Sequence, residues 1–322
     1  MQSAPFDSAQ GAPGKILCLC GGVGGAKLAL GFSKILSPGQ LTIIINTGDD
    51  FEHLGFFISP DIDTVLYTLA GISNTSLGWG IEGETWQFMA EQEKNGGETW
   101  FKLGDKDLQT HRLRKQWLSE GLSLSEVTSR LCKHYGVKHA VVPMSDDPVS
   151  TLVKTGQGEL AFQHYFVREQ CTPQVTGFYF KGIAQAQPSS GLLRALQDKQ
   201  LAGVVICPSN PFVSIDPILS LQGVREILRS LAVPVIAVSP IIGGQAVKGP
   251  TAKMMDELQI AKTSRSIARH YRDILDVLIL DNSDAGQSVE VEACGVRCLT
   301  TRTLMKTERD KIALAEFILA AL

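Results

Sequence analysis

Long apolar runs are missing from this sequence. Nothing in its 322 residues reaches the roughly 20-residue length that a bilayer-spanning helix needs. Met1 to Gly14 also lacks an apolar core of the signal-peptide type, so a cytoplasmic, membrane-free protein is expected. Charge of one sign is scarce too. The basic and acidic residues, 30 against 33, leave a net −3, which gives no general pull toward nucleic acid. Six histidines are scattered, and no two share a helix face at metal-ligand spacing. Cys294 and Cys298 stand four apart, but no second cysteine or histidine pair lies nearby to complete a zinc set. All seven cysteines are therefore expected as reduced thiols. There is no Gly-x-Ser-x-Gly elbow, no persuasive Ser/His/Asp order and no internal repeat. Residues 1–14 are small, polar and Pro-containing, and read as a disordered tail.

Glycine, by contrast, is crowded into one place. The apolar run Lys15 to Cys20 reads as a buried strand. Gly21-Gly22-Val23-Gly24-Gly25-Ala26-Lys27 follows. Then Leu28, Phe32, Ile35 and Leu36 mark a helix face that Ser37-Pro38-Gly39 closes. Strand, glycine loop and helix N-terminus together form an anion site, because unpaired N–H groups and the helix dipole face the same point. The loop is no Walker A motif, and Lys27 stands where a dinucleotide fingerprint has its third glycine. Four glycines in five positions exceed what a turn needs. Gly22, Gly24, Gly25 and Lys27 are thus read as phosphate-binding.

Leu41 to Asn46 is a second strand, ending in Thr47-Gly48-Asp49-Asp50. Acidic residues there could bind a ribose, hold Mg2+ or merely form a turn. Ser59-Pro60-Asp61-Ile62-Asp63 opens a helix, and Asp61 could simply cap it. Even so, four carboxylates fall within fifteen residues, which suits a metal. All four tryptophans lie in residues 72–138, read as a mainly helical insertion with a capping box at Ser123 and Glu126. The α/β pattern then resumes. Val149–Val153 and Leu160–Val167 read as a hairpin, and later strands run into Pro208-Ser209-Asn210-Pro211 and into Ser239 to Pro250.

The fold expected is α/β: Rossmann-like, a mostly parallel sheet with helices on both faces, built from residues 15–71 and 139–322 around the insertion. In such a sheet the loops at 21–27, 46–50, 145–149, 208–211 and 239–250 converge on one edge. Glycine loops, lysines, amides and aspartates suit phosphoryl transfer, with Lys27 and Lys248 offsetting negative charge and an aspartate accepting a proton.

Several stretches, in order, resemble the 2-phospho-L-lactate transferase (CofD-like) family of coenzyme F-420 biosynthesis. They are Gly21–Lys27, Asn46-Thr-Gly-Asp-Asp50, Ser59-Pro-Asp-Ile-Asp-Thr-Val-Leu-Tyr-Thr68, Trp79-Gly-Ile81, Phe101–Leu108 with Thr110-His111, Met144-Ser-Asp-Asp147, Pro208-Ser-Asn-Pro211 and Ser239–Gly244 with Lys248-Gly-Pro250. The resemblance implies Mg2+-dependent transfer of a phosphorylated three-carbon acid from a guanylyl donor to the ribityl hydroxyl of the deazaflavin Fo, with release of GMP. It also implies a homodimer. By motif, Asp50 and Asp63 would serve the metal and the acceptor hydroxyl. Gly22, Gly24, Gly25, Lys27, Ser209, Asn210, Gly243, Gly244 and Lys248 would hold the donor, and the insertion would cover the acceptor. Trp86 to Met89 lacks the basic residue that some archaeal members carry after Trp-Gly-Ile. Two rivals are a nucleotide-sugar-binding regulator of the same fold and an NAD-dependent oxidoreductase.

Overall fold

Residues 14–246 and 249–322 of the computed structural model are described; the tail up to residue 13 and Lys248 lie outside them. Six short apolar runs and one more polar one become the strands of one sheet. They are β1 (Lys15–Cys20), β2 (Leu41–Ile45), β3 (Ala140–Pro143), β4 (Leu201–Ile206), β5 (Val235–Val238), β6 (Val277–Asp281) and β7 (Arg297–Thr301). All pairings are parallel, in the order β7-β6-β5-β4-β1-β2-β3.

Alternation along these strands feeds two cores. Leu17, Leu19, Ile44, Val204 and Ile206 pack on one face; Ile16, Cys18, Ile43, Ile45 and Val205 pack on the other. The second face is covered by α1 (Gly22–Ile35), α2 (Pro60–Ala70), α5 (Leu124–His134) and α6 (Glu308–Ala321). Between α2 and α5 come α3 (Gln87–Lys94) and α4 (Asp107–Ser119), with irregular chain between them and one isolated bridge between Ser73 and Ile81. The capping box at the start of α5 is formed: Glu126 N–H donates to Ser123 Oγ, and the Glu126 carboxylate accepts from Ser123 N–H. Among the described residues, no helix is long and apolar enough to cross a membrane.

The chain runs from β1 outward to β2 and β3, then returns to the other side of β1 to add β4. The direction of winding therefore reverses between β1 and β4. That is where open α/β sheets form their ligand crevice, outside the carboxyl ends of the strands.

One helix crossing depends on a missing side chain. A Cβ at Gly31 would stand 2.1 Å from Lys311 O, so α1 meets α6 backbone to backbone. At an exposed helical site Gly→Ala gains about 1 kcal/mol. Here the clash falls on backbone, and overpacking costs about 1–3 kcal/mol or more. Gly31→Ala is expected to lower the urea midpoint at unchanged slope. A higher midpoint would show that the helices part freely.

Candidate active site

A cavity of about 710 Å3 opens at the carboxyl edge of the sheet. Its polar wall gathers Gly21, Gly22, Val23, Gly24 and Lys27 after β1, Asp49 after β2 and Ser209 and Asn210 after β4. Ser239 after β5 and Thr303 to Met305 after β7 complete it. Trp79, Trp100, Phe101 and Lys102 from the insertion, with Phe162 and Phe166, supply an aromatic wall.

The glycines are held by contact as well as by conformation. Gly22 has φ +62, in the left-handed region that glycine enters without strain. A Cβ at Gly24 would lie 2.2 Å from Pro208 O, and one at Gly25 would lie 2.3 Å from Cys20 Sγ. Ser209 Oγ ties the loops together, accepting from Gly21 N at 3.2 Å and donating to Gly21 O at 2.7 Å. Asn210 Oδ1 accepts from Phe212 N at 3.0 Å and so shapes the second loop. Lys27 Nζ donates to Met305 O at 3.1 Å, which links the helix to the loop after β7.

Asp61 does not cap its own helix. Its Oδ1 accepts from Gly22 N at 2.7 Å, and its Oδ2 from Asn46 Nδ2 at 3.0 Å. One N–H at the start of α1 is thus already taken by a carboxylate of α2. Asp49 stands nearby, 5 % exposed, with Oδ1 unpartnered among the described residues. Burial raises the Asp61 pKa to about 6. Burial and then the charges of Asp61 and Asp50 push Asp49 well above the usual carboxylate range. Burial also raises Asp50, against the opposing hydrogen bond of Ser59, whose Oγ donates to Asp50 Oδ2 at 2.8 Å. Asp50 Oδ1 is buried and likewise unpartnered among the described residues.

Asp63 is placed differently from the sequence-based expectation. It does not line the cavity, and Arg114 grips both of its oxygens, Nη1 at 3.1 Å from Oδ2 and Nη2 against Oδ1. Burial raises its pKa, and the Arg114 charge opposes the rise. Asp63, Asp107 and His111 bring potential ligand atoms within 4.8 Å of one another. Arg114 is paired with Asp63 there, Tyr67 donates to Asp107, and Arg114 Nη1 lies 3.2 Å from His111 Nδ1. Asp50 is not on the cavity wall either; Asp49 and Asp61 are the carboxylates there.

Other expectations also shift. Gly243 and Gly244, with φ +57 and +71, turn a short hairpin between Ile241–Ile242 and Gln245–Ala246 rather than lining the cavity. Their neighbours Ile242 and Gly249 do line it. The 145–149 loop stays away because β3 is the sheet's edge strand; Asp146 accepts from Ser125 N and Asp147 from Gln187 N. The second hairpin strand stops at Ala161, and His164–Arg168 is a helical turn. That turn stacks Phe162 on Phe166, their centroids 5.5 Å apart, both in the aromatic wall. Trp86 packs edge-on against Trp79, and Trp117 packs into the core under Arg130.

The family described as 2-phospho-L-lactate transferase CofD matches residues 16–304. The chain belongs to the CofD family. Its relatives include the 2-phospho-L-lactate transferase of Methanosarcina mazei, 37% identical over 306 residues, covering 95% of this chain and 100% of that one. The phosphoenolpyruvate transferase of Streptomyces griseus is 39% identical over 305 residues, 93% of this chain and 95% of that one. A solved UPF0052-family protein of Bacillus halodurans superposes with TM-score 0.63 at 15% identity, covering 95% of this chain and 99% of that chain, and so shows the fold. This CofD-family protein is an enzyme, a transferase of the kind used in coenzyme F-420 biosynthesis.

The carboxylates give the site a pH signature. A carboxyl whose folded pKa is raised favours the fold when protonated. That contribution is complete below the unfolded value near 4 and is lost as pH rises through the folded value, about 6 for Asp61. A divalent cation bound by the ionised cluster would oppose this loss. Mg2+ is expected to raise the melting temperature more at pH 8 than at pH 5. Equal shifts at the two pH values in a scanning-fluorimetry series would contradict cation binding at these aspartates.

Proposed function

We propose that the protein is a Mg2+-dependent transferase that moves a phosphorylated three-carbon acid from a guanylyl-diphospho donor to the ribityl hydroxyl of Fo. The acid is phospholactyl, phosphoenolpyruvyl or phosphoglyceryl, and GMP is released. One observation carries this reading. A single cavity of about 710 Å3 joins a helix N-terminus and buried carboxylates to an aromatic wall. The relatives' names, which cover both phospholactate and phosphoenolpyruvate transfer, support the three-carbon acid class.

On this reading Val23 and Gly24 N–H groups at the start of α1, Ser209 and Asn210 hold the donor phosphates, with Lys27 at the polar wall. Asp61 already occupies Gly22 N–H, so a phosphate entering beside it meets like charge. The unpartnered oxygen of Asp49 on the cavity wall fits a hard cation at that point, with Asp50 next to it in the chain but off the wall. This cluster would hold Mg2+, which when bound supplies charge neutralisation for donor and carboxylates alike. Asp49, on the cavity wall, suits acceptance of the ribityl proton. The ribityl oxygen then attacks the phosphorus that bears the three-carbon acid, and the bond from that phosphorus to the guanylyl phosphate oxygen breaks. Trp79, Trp100 and Phe101 would stack on the deazaflavin and exclude water. A cytoplasmic homodimer remains part of the proposal.

Calorimetric titration with GDP, a UDP-sugar and NAD, each with and without Mg2+, separates the alternatives. Mg2+-dependent GDP binding is expected. Preference for the UDP-sugar would favour a regulator, and preference for NAD an oxidoreductase.

A further inference from the structure

We infer that Arg114, a residue outside the cavity, is the positioning residue for the carboxylate cluster and links the insertion to it. This rests on the Mg2+-dependent reading above. Arg114 is 0 % exposed, yet it belongs to α4 of the insertion. Its guanidinium holds Asp63 through both oxygens and reaches Phe57 O at 3.4 Å. The fork therefore grips the first turn of α2 and the strand Phe56–Ile58 that leads into it.

What stands on that turn matters for the cavity. Asp61, two residues before Asp63, plugs Gly22 N–H and binds Asn46. Ser59, at the N-cap of α2, donates to Asp50. Asp63 N–H closes the turn on Ser59 O at 3.0 Å. Hence the Arg114–Asp63 pair fixes the turn from which both Asp61 and Asp50 are held. The same insertion presents Trp79, Trp100 and Phe101 to the cavity. Seating α4 on Asp63 thus sets the aromatic wall and the carboxylates in one register.

A guanidinium fork and an ammonium are not equivalent here. Lysine keeps the charge but cannot grip two oxygens in a plane. Loss of partners that orient metal ligands typically weakens metal affinity or activity by about 10–100-fold. Arg114→Lys is therefore expected to bind Mg2+ at least about tenfold more weakly in calorimetry with GDP present. GDP affinity without Mg2+ should stay within about threefold, and kcat should fall with little change in donor KM. The neutral pair Asp63→Asn with Arg114→Gln gives the same readouts should Arg114→Lys fail to fold. A lower melting temperature with wild-type Mg2+ affinity and kcat per folded molecule would overturn the inference and leave Arg114 purely structural. Wild-type protein that binds GDP but no Mg2+ would instead overturn the metal-dependent reading, and this inference with it.

Discussion

Asp49→Asn is expected to lower kcat by about 10²–10⁴-fold, the range for losing a positioned proton acceptor or a comparable charge. The fold should survive. Asparagine keeps the size and one oxygen, and Asp49 is not needed to neutralise any buried cation. The stability change has an unusual sign. In the buried cluster, beyond the effect of burial, the charges of Asp61 and Asp50 raise Asp49's cost of ionisation, and those of Asp63 and Asp61 raise Asp50's. Removing one charge should raise the melting temperature without divalent cations and shrink the increment that Mg2+ adds. Asp50→Asn should act in the same direction, and the double variant should lose far less than the product of the single losses, since both serve one cluster. Steady-state transfer at saturating Mg2+, with melting curves, checks this. Wild-type kcat in a folded Asp49→Asn protein would remove Asp49 from the chemistry.

Gly24→Ala is expected to disable donor binding. The added Cβ would be 2.2 Å from Pro208 O, which is backbone and cannot rotate away. Either α1 or the Pro208–Asn210 loop must move, and the Ser209–Gly21 hydrogen bonds join the two. Overpacking strain of about 1–3 kcal/mol, expressed in the bound geometry, corresponds to roughly 5–150-fold in affinity. Gly156→Ala is a suitable control, because nothing lies within 4 Å of a Cβ there. Calorimetry with GDP should show the loss for Gly24→Ala alone. Unchanged affinity would mean that the loops flex past one another and that the glycine is dispensable.

Local signals were legible in the sequence, and pairings across the fold were not. The glycine loop, the β-branched strands and the capping box at Ser123 each declare themselves within a few residues, and the fold class follows from their order. Asp61 shows the limit. Its place after Ser59-Pro60 reads as a helix cap, but its partner is Gly22, 39 residues earlier. Nothing near Asp63 announces Arg114, 51 residues later, so the ion pair that compensates its charge was not legible. The 145–149 loop was expected at the site because strand order is invisible from spacing; β3 sits at the sheet edge. Conversely, Thr303 to Met305 reach the cavity after β7, a strand too polar to stand out as buried. Phe162 and Phe166 were read as strand residues because alternating apolar residues do not distinguish a strand end from a single helical turn.

The most direct measurement incubates the protein with Fo, Mg2+ and, in turn, the guanylyl-activated phospholactate, phosphoenolpyruvate and phosphoglycerate donors, recording product mass and GMP. The account predicts that at least one donor yields Fo carrying the phosphorylated three-carbon acid, with one GMP per product and none formed when Mg2+ is chelated. Folded protein that binds GDP and Mg2+ yet forms no adduct with any of the three would contradict it.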